Sequence, residues 1–245
     1  LSVNETGENV LVHKQALQNI GPEGMSPLKI GMVSLGCSKN LIDSEIMLGS
    51  LQGAGYDITS HAEAADVIVV NTCGFMESAK SESINTILEM AMHKETGRCR
   101  ALIVAGCLSQ RYSRELMEEI PEIDGMLGTG ELDRLPELLQ AVEEGQRVTY
   151  VSHPGFDYDE PLARVVTTAP HSVYLKIAEG CSHSCAYCVI PSLRGPYRSR
   201  TMANILEEAQ CLADNGAREL ILIAQDTSAY GKDLPDAPEL PELLR

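Results

Sequence analysis

The sequence predicts an α/β protein: an N-terminal open parallel sheet with helices on both faces, followed by the first strands and helix of a second, incomplete β/α series. Three observations carry this. From residue 29 to residue 152, apolar runs of strand length alternate with stretches of helical periodicity, and parallel strands need such crossovers. Residues 153–171, with Pro154, Gly155, Pro161 and Pro170 among the acids Asp157, Asp159 and Glu160, interrupt the alternation and read as a linker. A further strand–helix–strand run occupies 172–245, far short of the roughly 250 residues of a closed eight-stranded barrel.

Residues 1–28 hold Gly21-Pro22-Glu23-Gly24 and no sustained periodicity, and are expected to form a flexible leader. Residues 29–35 read as a buried strand. Residues 40–51 read as a helix, with Asp43 and Glu45 near its start, where acids suit the helix dipole. A strand at 66–71, a helix at 78–93, a strand at 101–105 and a helix at 112–119 follow. A short strand near Met126, a helix at 132–144 and a strand at 147–151 complete the first domain. In the second, strands are expected at 173–178 and 219–224, with a helix at 202–214 between them.

Nineteen basic against 35 acidic residues give a net charge of −16. That balance argues against bulk electrostatic binding to nucleic acid or to an anionic membrane. The longest apolar runs, such as 67–70, are far too short to span a bilayer, and the first residues lack a signal-peptide pattern. A cytoplasmic protein is expected. In that compartment thiols stay reduced, so the eight cysteines read as metal ligands or redox groups rather than as a disulfide framework.

The cysteines sort by position. Cys37, Cys73 and Cys107 each follow a predicted strand and each has a glycine beside it, Gly36, Gly74 and Gly106. In a parallel sheet these junctions share the carboxyl edge, where open α/β sheets bind ligands. Glycine permits close backbone approach, and a following helix start favours thiolate over thiol. Three cysteines in equivalent positions point to a shared zinc or iron–sulfur site; the competing reading is that each is a small buried hydrophobe. Cys99 precedes its strand and Cys211 lies within a helix, and both read as structural.

Cys181, Cys185 and Cys188 form a second set, spaced C-x3-C-x2-C on one loop after the strand at 173–178. Three thiolates there can hold three corners of a cubane cluster and leave the fourth iron open. Structural zinc with His183 as fourth ligand is the alternative, although zinc sites usually pair ligands across a longer loop; His183 otherwise reads as an exposed loop residue. Tyr187 either packs the loop or contacts a planar ligand. Arg194, Arg198 and Arg200 form a basic island that either steers a carboxylate or is simply solvated. Gln225 and Asp226 end the second strand, where barrel sites lie, with helix capping by Asp226 the competing role. Asn40, Asp43 and Glu45 read as helix-start residues rather than ligands.

Cys181-Ser182-His183-Ser184-Cys185-Ala186-Tyr187-Cys188 resembles the signature loop of radical S-adenosylmethionine (SAM) enzymes. With the three-cysteine domain in front, residues 29–233 resemble the radical SAM methylthiotransferases. Ser34-Leu35-Gly36-Cys37-Ser38-Lys39-Asn40, Pro191-Ser192-Leu193-Arg194-Gly195 and Gln225-Asp226-Thr227-Ser228-Ala229-Tyr230-Gly231 are similar to the RimO branch of that family. The resemblance implies that 172–245 is the start of a truncated radical SAM barrel. It implies that Cys181, Cys185 and Cys188 ligate a 4Fe-4S cluster that binds SAM, and that Cys37, Cys73 and Cys107 ligate an auxiliary 4Fe-4S cluster. SAM contacts fall to Tyr187, Gln225 and Asp226. The implied reaction is methylthio transfer to the β-carbon of an aspartate in small-subunit ribosomal protein S-twelve, with an electron donor and a sulfur donor as further partners and neither membrane nor direct nucleic-acid binding. The alternatives are a methylthiotransferase of the MiaB branch acting on prenylated adenosine in tRNA, and a non-catalytic metal-binding interaction module.

Overall fold

The computed structural model describes residues 10–11, 28–154, 158 and 163–245. The expected leader, apart from Val10, Leu11 and Leu28, lies outside the described residues. The first unit is a six-stranded parallel sheet of β1 (Lys29–Ser34), β2 (Asp57–Thr59), β3 (Val67–Thr72), β4 (Ala101–Gly106), β5 (Gly125–Leu127) and β6 (Val148–Tyr150), in the order β2-β1-β3-β4-β5-β6. Its crossovers include α1 (Ser38–Gly53), α2 (Glu77–Ala91), α3 (Cys107–Glu119) and α4 (Leu135–Glu143).

Strand alternation divides the core. Val67, Val69 and Ile103 meet Ile42, Ile46 and Leu51 of α1 and Leu135, Leu138 and Leu139 of α4 on one face. Ile68, Val70, Leu102 and Val104 meet Ile87 and Met90 of α2 and Leu108 and Leu116 of α3 on the other. Successive side chains of one strand thus serve opposite layers, and β3 and β4 are buried along their whole length, as central strands of a sheet covered on both faces must be. Each fully buried large aliphatic side chain contributes about 1.5–3 kcal/mol.

In this unit β2 and α3 differ from expectation. β2 is an edge strand of three residues, too short to show a period, and exists by pairing with β1, Lys29 against Asp57. α3 starts at Cys107 rather than at 112, because Tyr112 leaves helical geometry (φ −130°, ψ 32°) and kinks the helix. The sequence period restarts after that kink.

The second unit pairs β7 (Ser172–Lys176) and β8 (Glu219–Ile223) in parallel. The crossover carries the short helix α5 (Ile190–Arg194) and then α6 (Met202–Asp214). Thr201 caps α6, its side chain accepting the Asn204 N–H. Val173, Leu175, Ile177, Ile205, Leu212 and Tyr230 form its core. An antiparallel bridge, Ala178–Glu179 against Arg198–Ser199, closes the base of the cysteine loop. The two-stranded sheet is open, the beginning of a β/α barrel. Within the segment expected as a linker, Arg164 and Val165 pair with Val10 and Leu11. The preceding Ala163 lies so close to α1 that a Cβ on Gly49 would sit 2.2 Å from its carbonyl oxygen. Among the described residues, no helix is long and apolar enough to cross a membrane.

Candidate functional site

The sheet order reverses between β1 and β3, and the crevice beyond the carboxyl ends of such strands is where this architecture binds ligands. All three N-terminal cysteines lie there. Cys37 follows β1 and precedes the first residue of α1, Cys73 follows β3, and Cys107 follows β4 as the first residue of α3. Cys37 is exposed, Cys73 half-buried and Cys107 buried.

Glycines bring the three loops together. Gly36 has φ +90°, and a Cβ there would lie 2.9 Å from the Cys73 Cβ and 3.3 Å from its Sγ; one on Gly74 would lie 2.8 Å from the Cys107 carbonyl oxygen. The first contact is with the Cys73 side chain and the second with the Cys107 backbone, so glycine at both positions lets the three cysteine loops approach closely enough to share one thiolate-bound group. The Asn40 amide donates to Leu35 O at 3.1 Å and Thr72 O at 2.8 Å, and its Oδ1 lies 3.8 Å from Cys107 Sγ. Asn71 donates to Asn40 O and Ser44 Oγ, while its own Oδ1 is buried without a partner. Ser83, from α2, accepts the Cys73 N–H at 3.0 Å and donates to the Cys73 carbonyl at 3.1 Å.

The expected thiolate preference fails at Cys107 in the protein alone. Burial pushes its thiol up, and the Arg194 guanidinium opposes that shift without reversing it. Among the described residues, no three His, Cys, Asp or Glu side chains converge tightly enough to hold a single metal ion. A cubane makes a different demand, because each thiolate binds a different iron.

The second cysteine set lies on the loop after Ala178–Glu179. Gly180 (φ +76°) turns the chain so closely that a Cβ would sit 2.1 Å from Pro196 O, and Cys181 N–H donates to Gly195 O at 3.1 Å. Cys185 is exposed, Cys181 and Cys188 are half-buried, and Tyr187 is 93% exposed, which removes the loop-packing reading for its ring. His183 is exposed but not partnerless: its Nε2 lies 2.9 Å from Asp226 Oδ2. Asp226 also caps the turn after β8, accepting the Ser228 N–H and hydroxyl. Hydrogen bonds from Ser228, then His183, bring its carboxyl down to about 2. Ser182, His183, Tyr197, Asp226, Lys232 and Asp233 border a cleft of about 280 Å³ beside the loop. Gln225 donates to Glu179 Oε1 at 2.7 Å, leaving its own Oε1 buried and unpaired.

Between the two sets lies a layer of buried charge that sequence reasoning misassigned. Asp43 and Glu45 lie near the start of α1 as expected but are buried there, and Arg194 and Arg200 are not a solvated island but are buried as well. Lys176 donates to Asp43 at 2.6 Å, Glu179 at 2.8 Å and the Tyr158 hydroxyl at 2.6 Å. Arg194 reaches Asp43 Oδ2 at 2.5 Å and also Asn40 Oδ1. Glu45 takes Arg164 at 2.6 Å and the Thr167 N–H at 2.7 Å, and Arg200 pairs with Glu208. Burial opposes the Glu179 charge, but Lys176 and Arg194 outweigh it and hold the carboxyl well below its usual range. The sequence signal available was the charge of 176, a lysine inside an otherwise apolar strand.

An α/β unit with cysteines at its switch point, joined to the start of a β/α barrel with a three-cysteine loop, defines a two-part radical SAM protein. Residues 29–128 match the family model described as uncharacterized protein family UPF0004, and residues 175–243 match the radical SAM superfamily. The ribosomal protein uS12 methylthiotransferase RimO of Pelotomaculum thermopropionicum is 55% identical over 217 residues, covering 89% of this chain and 49% of that protein. The proteins of the same name from Geobacter sulfurreducens and Clostridioides difficile are each 52% identical, with the same coverage. Over these residues the chain is similar to the RimO-type methylthiotransferases. It spans about half the length of the curated relatives it matches. In fold it is similar to the radical SAM methyltransferase TsrM from Kitasatospora setae, with a TM-score of 0.59 at 14% identity over 90% of this chain and 50% of that one.

Proposed function

We propose that the full-length protein attaches a methylthio group to the β-carbon of an aspartate in ribosomal protein uS12, using two 4Fe-4S clusters, SAM, an electron donor and a sulfur donor. The observation that carries this reading is the pairing of two cysteine sets, one at the switch point of an open sheet and one on a loop at the mouth of a barrel strand, in a chain similar to the RimO-type proteins. When bound, a cluster with SAM supplies a radical strong enough to take hydrogen from an inert C–H bond, and the auxiliary cluster supplies the sulfur site.

Cys181, Cys185 and Cys188 are assigned to the first cluster, and Cys37, Cys73 and Cys107 to the auxiliary one. The exposed Tyr187 ring is assigned to a planar part of SAM. The unpaired Gln225 Oε1 is assigned to one of its hydrogen-bond donors, because a buried acceptor without a partner costs about 1–3 kcal/mol. Asp226 already holds His183 and Ser228, so its contribution is to fix the rim of the cleft around any ligand.

The test is made on the full-length protein, reconstituted anaerobically and supplied with SAM, reductant, sulfide and uS12. About eight irons per chain are expected, together with a methylthio mark on one uS12 aspartate by mass spectrometry. Cys181→Ala is expected to abolish the mark. Persistence of the mark in that variant, or zinc as the sole bound metal, overturns the reading.

A further inference from the structure

The buried charges that join the two units end at the Cys107 thiol. Asn40 is bonded to all three cysteine loops: its amide holds Leu35 O and Thr72 O, and its Oδ1 faces Cys107 Sγ. That same oxygen accepts from Nη2 of Arg194, which belongs to the other unit and is 3% exposed. Nη1 of Arg194 is held by Asp43 Oδ2 at 2.5 Å and lies 3.4 Å from Glu179 Oε2. Glu179 in turn is two residues ahead of Cys181, and Lys176 ties it to Asp43.

Arg194 is placed with care. It is the last residue of α5, which continues from the Cys188 loop. The hydroxyl of Thr129, in the first unit, donates to the Leu193 carbonyl at 2.6 Å. Gly195 (φ +76°) follows so close to the segment before it that a Cβ would lie 2.2 Å from Pro154 O. A guanidinium can satisfy an acid and an amide oxygen at once with its planar fork, which an ammonium on a flexible stem cannot reproduce. Asp43, Glu179, Lys176 and Arg194 form a charge-balanced set, two acids and two bases, all nearly excluded from water. In such surroundings a fixed charge acts strongly on its neighbours.

We propose that Arg194 is a positioning residue of the auxiliary site: reaching across from the radical SAM unit, it orients Asn40 and Cys107, places one positive charge beside the thiolate-bound cluster, and sets the register between the two cysteine sets. The proposal rests on the assignment of Cys37, Cys73 and Cys107 to an auxiliary cluster. A reaction that passes a group between two centres depends on their separation and orientation, and charge and hydrogen bonding near the ligands set a cluster's potential.

The experiment uses the full-length protein with Cys181, Cys185 and Cys188 all changed to alanine, so that one cluster remains, and follows iron content, electron paramagnetic resonance and midpoint potential. About four irons per chain are expected in this parent. Adding Asp43→Asn with Arg194→Met keeps the buried set neutral; iron is retained, while the midpoint potential moves to more negative values, because of the two charges removed the cation is the one bonded to Asn40 beside the Cys107 thiol and the acid lies behind it. Arg194→Lys keeps the charge but loses the fork, so its potential shifts less and its resonance spectrum changes. If the paired variant does not fold, by far-ultraviolet circular dichroism, Arg194→Lys decides. Potential and spectrum unchanged from the parent, in whichever of these variants folds, overturn the role of Arg194. A parent that binds no iron overturns the auxiliary-cluster assignment instead.

Discussion

Gly36 stands where the chain leaves β1 for Cys37, with φ +90° and the Cys73 side chain against its α-carbon. A side chain there has to adopt a rarely populated backbone conformation and displace Cys73. Gly36→Ala is therefore expected to destabilise the protein by about 1–3 kcal/mol and to lower iron retention at the auxiliary site. Urea unfolding and iron analysis check it, and an unchanged midpoint would show that the turn accommodates a methyl group. That Cys37, Cys73 and Cys107 share one edge of the sheet was legible in the sequence because each follows an apolar strand beside a glycine, a local pattern. Ser83 and Asn40 were not legible as site residues. Ser83 brackets the Cys73 backbone from a helix face, and Asn40 joins loops that adjoin only after the sheet has formed.

At the scale of elements, α1 carries the largest difference between sequence and structure. Its start reads as a conventional acidic helix opening, yet Asn40, Asp43, Ser44 and Glu45 are all buried. Sequence patterning treats charge as a marker of solvent. Here the other unit supplies Lys176 and Arg194, and the segment leading into it supplies Arg164, to meet those acids, and no local period reports that. The strands were legible for the opposite reason, since β3 and β4 are continuous apolar runs with one environment on each face. Glu45 accepts Arg164 and Thr167, so Glu45→Gln leaves a buried guanidinium with Glu208 as its remaining acid. The expected cost is about 3 kcal/mol, the lower end for breaking a buried pair, with the second unit loosening from α1. Denaturant unfolding measures the loss, and faster hydrogen exchange at residues 163–167 locates it. A change below about 0.5 kcal/mol, the scale of an exposed pair, would show that this clasp is not coupled to the fold.

At the scale of the molecule, two α/β units are joined by ionised groups, and their union should depend on pH with a definite sign. The Glu179 and Glu208 carboxyls are both held below their usual range: in each case burial opposes the charge and neighbouring cations outweigh it, Lys176 and Arg194 for Glu179, Arg200 and Arg164 for Glu208. The unfolded chain then binds more protons than the folded one in acid. Their stabilisation is present above the unfolded carboxyl value of about 4.3 and is lost as pH falls through the folded values. Lys176 is shifted the other way: burial disfavours its charge, but Asp43 and Glu179 outweigh this and raise it. Its contribution is complete below the unfolded lysine value of about 10.4 and is lost as pH rises through the folded one. A plateau across neutral pH is therefore expected, with an acid limb that begins below about pH 4–5 and responds weakly to salt, because buried pairs are little screened. Calorimetry from pH 3 to 9 measures this. Glu179→Gln should lower the plateau and flatten the acid limb together, since the variant no longer carries the proton-linked group. An acid limb as steep as that of the unmodified protein would remove Glu179 from the linkage and leave Glu208 and the surface carboxylates to account for it.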